Sequence, residues 1–302
     1  MAKNFKMLMD LAKKRGPKKV AVAVAQDKDV LQSVKLAMKD NIIIPILVGD
    51  KEKILEIGNE IGLDFEGVEI IHEIDGTLGA RKATELVHSG QADILMKGLI
   101  DTSIIMKQVL DKEIGLRTDS LISHVAVFDV PTYHKVFFVT DAAMNIAPDL
   151  LHKKGIVENA IKLAHSLEIE TPKVAVLAAK EKVSDKMEAT VHAKELANMN
   201  RDGLITQCIV DGPFALDNAI SKESAAIKGI ESPVAGDADI LLAPDIEAGN
   251  VLYKSLSFLA NAKSAGIIIG TKAPIVLTSR ADNEESKLNS IVLATLMASK
   301  GE

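Results

Sequence analysis

The densest grouping of chemically useful side chains is Thr278-Ser279-Arg280-Ala281-Asp282-Asn283-Glu284-Glu285, where a β-branched run gives way to a helical pattern. A helix N-terminus presents free N–H groups and the positive end of a dipole, Arg280 offers a planar fork that matches phosphate oxygens, and the Ser279 hydroxyl can donate to a reacting group. The chemistry this suits is the binding and transfer of an anionic group. Helix capping explains part of the same stretch. Asp282 with Glu285 three residues later reads as a capping box, which accounts for the two carboxylates as well as catalysis does. It does not account for Ser279-Arg280.

Weaker candidates stand at other strand ends. Lys97-Gly98 follows the Asp93-Ile-Leu-Met run, and ligands of open α/β sheets collect at the carboxyl ends of strands; a lysine snorkelling over the surface is the plain alternative. Thr102 opens the next helical stretch, a position that suits phosphate, and Lys107 lies about one and a half turns on, where a solvated face is the stronger explanation. Asp141 with Asn145 follows the Val139-Thr140 strand end, where turn formation would also place them. Asp245 precedes Gly249-Asn250 and Tyr253-Lys254 on a helical stretch and would serve equally as its N-cap.

Several common chemistries lack their motifs. No G-x-G-x-x-G follows the first strand and no G-x-x-x-x-G-K-[ST] occurs, which counts against typical dehydrogenases and kinases. No G-x-S-x-G nucleophile elbow is present. His72-Glu73 begins like a zinc-protease motif, but Gly76 stands where the second His is required. The single cysteine, Cys208, sits in an apolar strand-like run and reads as a structural thiol.

Positioning these residues requires alternating strands and helices. Val20–Ala25, Ile42–Val48, Val68–Ile71 and Ala92–Met96 read as strands, each followed by residues at helical period, which predicts a parallel sheet with crossover helices. Ser123–Phe128 and Lys135–Val139, separated by a polar segment holding Pro131, predict a β-hairpin. Alternation resumes beyond Pro148 and ends in a mostly apolar helix over Glu284–Ala298. At 302 residues the chain exceeds one ordinary core, so two lobes are expected, residues 1–140 with 275–302 and residues 141–274.

Composition narrows the partners. Apolar residues make up 47% and charged residues 26%, enough for a folded core, while a formal net charge of −6 with 3% aromatics argues against nucleic acid. The N-terminus lacks a signal-peptide pattern, and the apolar runs fall far short of the roughly 20 residues that cross a bilayer, so a cytoplasmic protein without a membrane partner is expected.

Taken together, Met96-Lys97-Gly98, Asp141 through Asn145, Pro244-Asp245 through Lys254, and Thr278 through Asp282 resemble the phosphate acetyl/butyryltransferase family over most of the chain, and the Ser279–Lys287 wording is closer to its butyryl-transferring branch. The resemblance implies a two-lobed α/β fold like that of the isocitrate and isopropylmalate dehydrogenases, with an active-site cleft between lobes and the C-terminal segment returning to the first lobe. It implies exchange of an acyl group between coenzyme A and inorganic phosphate, with no metal and no cofactor beyond the CoA thioester substrate. Butyryl-CoA or another short acyl-CoA, phosphate and acyl phosphate would be the partners, and a homodimer or higher homo-oligomer the assembly.

Within that likeness Ser279 and Arg280 stand at the reaction centre, and Arg81 and Lys107 approach the phosphate. Lys107 replaces an arginine of the acetyl enzymes, and Ser286 stands where those enzymes carry an aspartate, leaving Asp282 and Glu285 as nearby carboxylates with Asp282 taken as the base. Lys97, Thr102, Asp141, Asn145, Asp245 and Asn250 complete the expected substrate-binding set. Direct transfer in a ternary complex fits the lack of an enzyme nucleophile, each preorganised donor supplying roughly 3 kcal/mol. Two other readings remain open: a metal- and NAD-dependent decarboxylating dehydrogenase, which needs clustered aspartates, and a binding protein without turnover.

Overall fold

The structure is a computed structural model of the chain, and it describes residues 4–278 and 282–299. The chain divides into two compact units: Lys6–Ser120 with Ala265–Glu302, and Leu121–Ser264 with Met1–Phe5. The expected boundaries, after residues 140 and 274, fall instead after 120 and 264. Strand pairing is the reason, as shown below.

The discontinuous unit opens with α1 (Phe5–Arg15), β1 (Lys18–Ala23), α2 (Lys28–Lys39), β2 (Ile43–Gly49), α3 (Lys51–Ile61), β3 (Glu69–His72), α4 (Gly76–His88), β4 (Ile94–Lys97) and α5 (Thr102–Val109). The inserted unit follows with β5 (Ser123–Asp129), β6 (Phe137–Thr140), α6 (Leu150–Ser166), β7 (Lys173–Leu177), α7 (Glu188–Arg201), β8 (Ile209–Phe214), α8 (Leu216–Ile220), α9 (Lys222–Ile227), β9 (Ile240–Leu242) and α10 (Ile246–Lys254). A π-helical turn, Ser255–Leu259, extends α10, and β10 (Lys263–Ile269), β11 (Ile275–Val276) and α11 (Glu284–Ala298) close the chain.

In the discontinuous unit the strand order is β3-β2-β1-β4-β11-β10. β1 runs parallel to β2 and β4, with Val20 opposite both Pro45 and Ile94, and β11 runs parallel to β4, with Ile275 opposite Leu95. Val20, Ala21 and Val22 of β1 and Ile94, Leu95 and Met96 of β4 are fully buried, as strands covered on both faces require. β10 pairs antiparallel with β11, Ile267 opposite Val276, so the segment from 265 onward returns here rather than staying with the insert. α11, predicted over the residues it occupies, packs on α2 in the same unit.

The inserted unit orders its strands β5-β6-β9-β7-β8. The predicted hairpin forms, with Val127 opposite Phe138 across antiparallel β5 and β6. β6 then lies parallel to β9, Phe138 opposite Ile240, and that pairing carries the hairpin into the insert. Phe128, Phe137, Phe214 and Val139 form its core with Tyr133 and Tyr253 packed against them.

One device recurs at the strand-to-helix turns of both units. Asp27, Asp75, Asp149 and Asp245 each stand just before a helix and accept its N3 amide, from Val30, Leu78, His152 and Ala248 at 2.8–2.9 Å. Each such cap contributes about 1 kcal/mol and fixes where the preceding loop points.

Candidate active site

In the discontinuous unit the carboxyl ends of β1, β4 and β11 open together, as their shared direction demands. A pocket of about 100 Å³ lies there, lined by Asp27, Asp29, Val30, Lys97, Gly98, Leu99, Thr278 and Lys287. A single water needs about 10–15 Å³ on the same measure, so the pocket has room for a small group of atoms. A larger hollow, about 360 Å³, borders the amino ends of β4 and β11 at Ala92, Asp93 and Pro274. Its one carboxylate, Asp93, already accepts the Lys19 amide at 2.8 Å, and ligands of such sheets gather at the other end.

Lys97 is buried at the end of β4 and donates from Nζ to the carbonyls of Gly98 (3.2 Å) and Ile100 (3.1 Å). It is therefore a member of the pocket wall and not a lysine snorkelling over the surface. The turn it holds lies tight against β1: the Gly98 and Leu99 amides donate to the carbonyls of Ala23 and Val24, both at 2.8 Å. A Cβ on Gly98 would stand 2.3 Å from the Val24 oxygen, so only glycine allows this approach. Val24 itself has φ 57°, a conformation costly for a β-branched residue, and such strain concentrates at functional sites.

Thr278 lines the same pocket, and the chain continues from it into Ser279, Arg280 and Ala281, which lie outside the described residues. Asp282 is half-buried. It is not the cap of α11 that its spacing to Glu285 predicts: Asn283 is the N-cap, and its Oδ1 accepts the Ser286 amide at 2.8 Å. Lys287, which the sequence pattern does not single out, is only 3% exposed. Its Nζ donates to the Asp282 carbonyl and stands 3.9 Å from Asp29 Oδ2.

The other expected residues of this unit are arranged differently. Arg81 on α4 donates from Nε to Glu85 at 2.9 Å, one turn along the same helix, and its charge also reaches Asp111. Thr102 is the first residue of α5 and Lys107 lies on the same helix, both exposed. None of the three lines the pocket.

In the inserted unit, four expected residues do come together. Asp141 is buried at the end of β6 and accepts amides from His124 (3.2 Å), Ala143 (2.8 Å) and Met144 (3.0 Å). Asn145 folds back onto it, Nδ2 to Oδ2 at 2.6 Å. Asp245 caps α10, and Asn250 on that helix donates to the Ala142 carbonyl at 3.2 Å. Gly249 lets α10 approach: a Cβ there would meet the Asp141 carbonyl oxygen at 2.4 Å. One set of bonds thus forms the turn and gathers the four residues.

Cys208 lies partly buried beside Asn200, and burial pushes its thiol up to about 11, leaving it protonated and a poor nucleophile at neutral pH. Among the described residues, no group of three or more His, Cys, Asp or Glu side chains is placed to hold a metal ion, and no helix is long and apolar enough to cross a membrane.

Comparison with known proteins supplies what geometry alone does not. The chain matches the family described as "Phosphate acetyl/butaryl transferase" over residues 5–77 and 77–295. A phosphate butyryltransferase of Clostridium beijerinckii is 49% identical over 302 residues, covering the whole of both chains. A phosphate acetyltransferase of Thermotoga maritima is 46% identical over 96% of this chain and 98% of its own. Among solved structures, a branched-chain phosphotransacylase from Enterococcus faecalis V583 is 40% identical and aligns with a TM-score of 0.82 over 93% of this chain and 99% of that one. With likeness running from end to end at these identities, the chain belongs to the phosphate acetyl/butyryltransferase family.

Proposed function

We propose that the protein exchanges an acyl group between coenzyme A and inorganic phosphate, converting butyryl-CoA and phosphate to butyryl phosphate and CoA. The full-length likeness to a phosphate butyryltransferase carries this reading, and a small pocket with two buried lysines at the carboxyl ends of parallel strands supports it. Transfer is direct, in a ternary complex. A phosphate oxygen forms the new C–O bond at the thioester carbonyl, the C–S bond breaks, and the departing thiolate takes up the proton that phosphate loses. The raised Cys208 thiol and the lack of a nucleophile motif agree with a route that has no acyl-enzyme.

Ser279 is assigned to the developing oxyanion or the thiol, and Arg280 to phosphate together with Arg81 and Lys107. Asp282 is assigned as the base that assists thiol deprotonation in the reverse direction. Lys97, Thr102, Asp141, Asn145, Asp245 and Asn250 are assigned to substrate binding. The protein works in the cytoplasm as a homodimer or higher homo-oligomer, without a resident cofactor and without a nucleic-acid or membrane partner.

Acetyl transfer is the second reading, favoured by the 46% identity to the T. maritima acetyltransferase against 49% to the butyryl enzyme. One methylene shifts binding by only about 1–3 kcal/mol, so the choice rests on rates. Mixing the protein with butyryl-CoA and phosphate and following free thiol decides it. Phosphate-dependent release, faster than with acetyl-CoA, is expected. Faster release from acetyl-CoA would move the reading to the acetyl enzyme, and release without phosphate would overturn acyl exchange in favour of hydrolysis.

A further inference from the structure

The pocket at the carboxyl ends of β4 and β11 has a polar side and an apolar side. Lys97, Thr278 and Lys287 belong to the first, and its apolar side chains are Val30 and Leu99. Val30 is 3% exposed and forms floor with little surface left to cover, whereas Leu99 is 48% exposed. A single exposed leucine is ordinary on a protein surface, and Leu78 at 49% and Leu110 at 45% are matched to it. Neither of those lines the pocket. Leu99 does, together with Thr278, from which the chain runs into Ser279 and Arg280.

The backbone around Leu99 is fixed on both sides. Its own amide donates to the Val24 carbonyl at 2.8 Å. Lys97 Nζ reaches the carbonyls of the residues before and after it, Gly98 at 3.2 Å and Ile100 at 3.1 Å. Ile100 is 5% exposed, and the first turn of α4 lies beside it: a Cβ on Gly76 would stand 3.9 Å from Ile100 Cδ1. One tight turn thus buries Ile100 and leaves Leu99 half open on a frame that needs no ordering when a ligand packs against it. Contact with a preformed surface loses less of its hydrophobic gain to ordering than contact with a mobile one.

We propose that Leu99 is a specificity-determining residue of acyl transfer, packing against the alkyl chain of the acyl group beyond its carbonyl carbon. The proposal rests on the acyl-exchange reading for the identity of its ligand and goes beyond it by naming the side chain that reads chain length. The pocket takes only a small group of atoms, so the reacting oxygens lie among its polar groups and the chain runs outward along Leu99. An acetyl group has one methyl to place there, and a butyryl group has two further methylenes. Each methylene taken out of water is worth roughly fourfold in binding, so complete cover of both favours butyryl by roughly fifteenfold.

The experiment compares butyryl-CoA with acetyl-CoA in two ways: kcat/KM for phosphate-dependent thiol release, and Kd by titration calorimetry without phosphate. The parent is expected to favour butyryl-CoA in both. Leu99→Ala is expected to lower that preference at least threefold while the KM for phosphate stays within twofold of the parent. Leu99→Met, which keeps the apolar volume should the truncated variant not fold, is expected to hold the preference within twofold. Leu110→Ala, which truncates an equally exposed leucine just after α5, is expected to leave it unchanged. A fall of less than threefold in Leu99→Ala, or a fall of threefold or more in Leu110→Ala, overturns the assignment. Absence of phosphate-dependent release from either thioester in the parent overturns the acyl-exchange reading instead; the ratio of Kd values then still decides whether Leu99 reads the chain.

Discussion

The two units hold their buried lysines with different sets of groups. In the inserted unit, at the amino ends of the strands, Lys135 meets Asp239 at 2.5 Å and Asp237 at 3.2 Å, Lys173 meets Asp237 at 2.5 Å, and His134 adds a contact to Asp237 at 2.7 Å. Asp239 also accepts the Lys173 amide at 2.8 Å. Burial alone would raise the Asp237 carboxyl, but hydrogen bonds from Lys173 and His134 and the Lys135 charge hold it far below the usual carboxylate range. In the discontinuous unit, at the carboxyl ends of the strands, Lys97 donates to the Gly98 and Ile100 carbonyls, and Lys287 donates to the Asp282 carbonyl with Asp29 Oδ2 3.9 Å away. Ion against ion ties three segments together and leaves no charge to offer. The carbonyls named here lie within five residues of the lysine they hold, so they orient it without joining distant segments.

The contrast makes its largest prediction in the paired network. Asp239→Ala leaves Lys135 buried without its nearest counter-charge and is expected to cost about 3–5 kcal/mol, read as a lower midpoint in urea. A loss below about 1 kcal/mol would break the contrast by showing that the network is not what holds these segments. Gly98→Ala tests the other side. Pressing a methyl against the Val24 carbonyl is expected to cost about 1–3 kcal/mol and to shift the turn that cradles Lys97. Phosphate-dependent thiol release should then fall at least tenfold under conditions where the variant remains folded; full activity would remove the need for carbonyl support.

The smallest effect belongs to a pair that touches solvent. Hydrogen bonds from Lys228 and then Asn218 hold Glu181 down at about 2. A carboxyl depressed on folding stabilises the protein above its unfolded pKa, and that share is lost as pH falls through the folded value. The stability gap between the parent and Glu181→Gln is therefore expected to stay level above about pH 4.5 and to close towards pH 2, followed by urea midpoints across that range. A gap that does not change with pH would show that packing, not charge, joins Glu181 to Lys228.

The sequence carries the alternation of the fold well, because strands and helices leave periodic traces in a local window. The hairpin at 123–140 and the helix Glu284–Ala298 stand where their patterns place them. The unit boundaries are not legible, since the pairing of Phe138 with Ile240 joins residues far apart in the chain. The cap of α11 is missed by one residue because Asp282 and Asn283 are comparable caps and only geometry separates them. Lys287 is hidden for a different reason: a lysine in a helical pattern reads as solvated until burial shows otherwise.

The discontinuity of the unit that holds the pocket bears on biosynthesis. The pocket joins Asp27 and Lys287, and β11 must slide in between β4 and β10 before its floor exists. Residues 121–264 are contiguous, whereas the first 120 residues wait for β11 and α11. A nascent chain that has completed its insert therefore still lacks Thr278 and Lys287, and the pocket cannot form until both have been made.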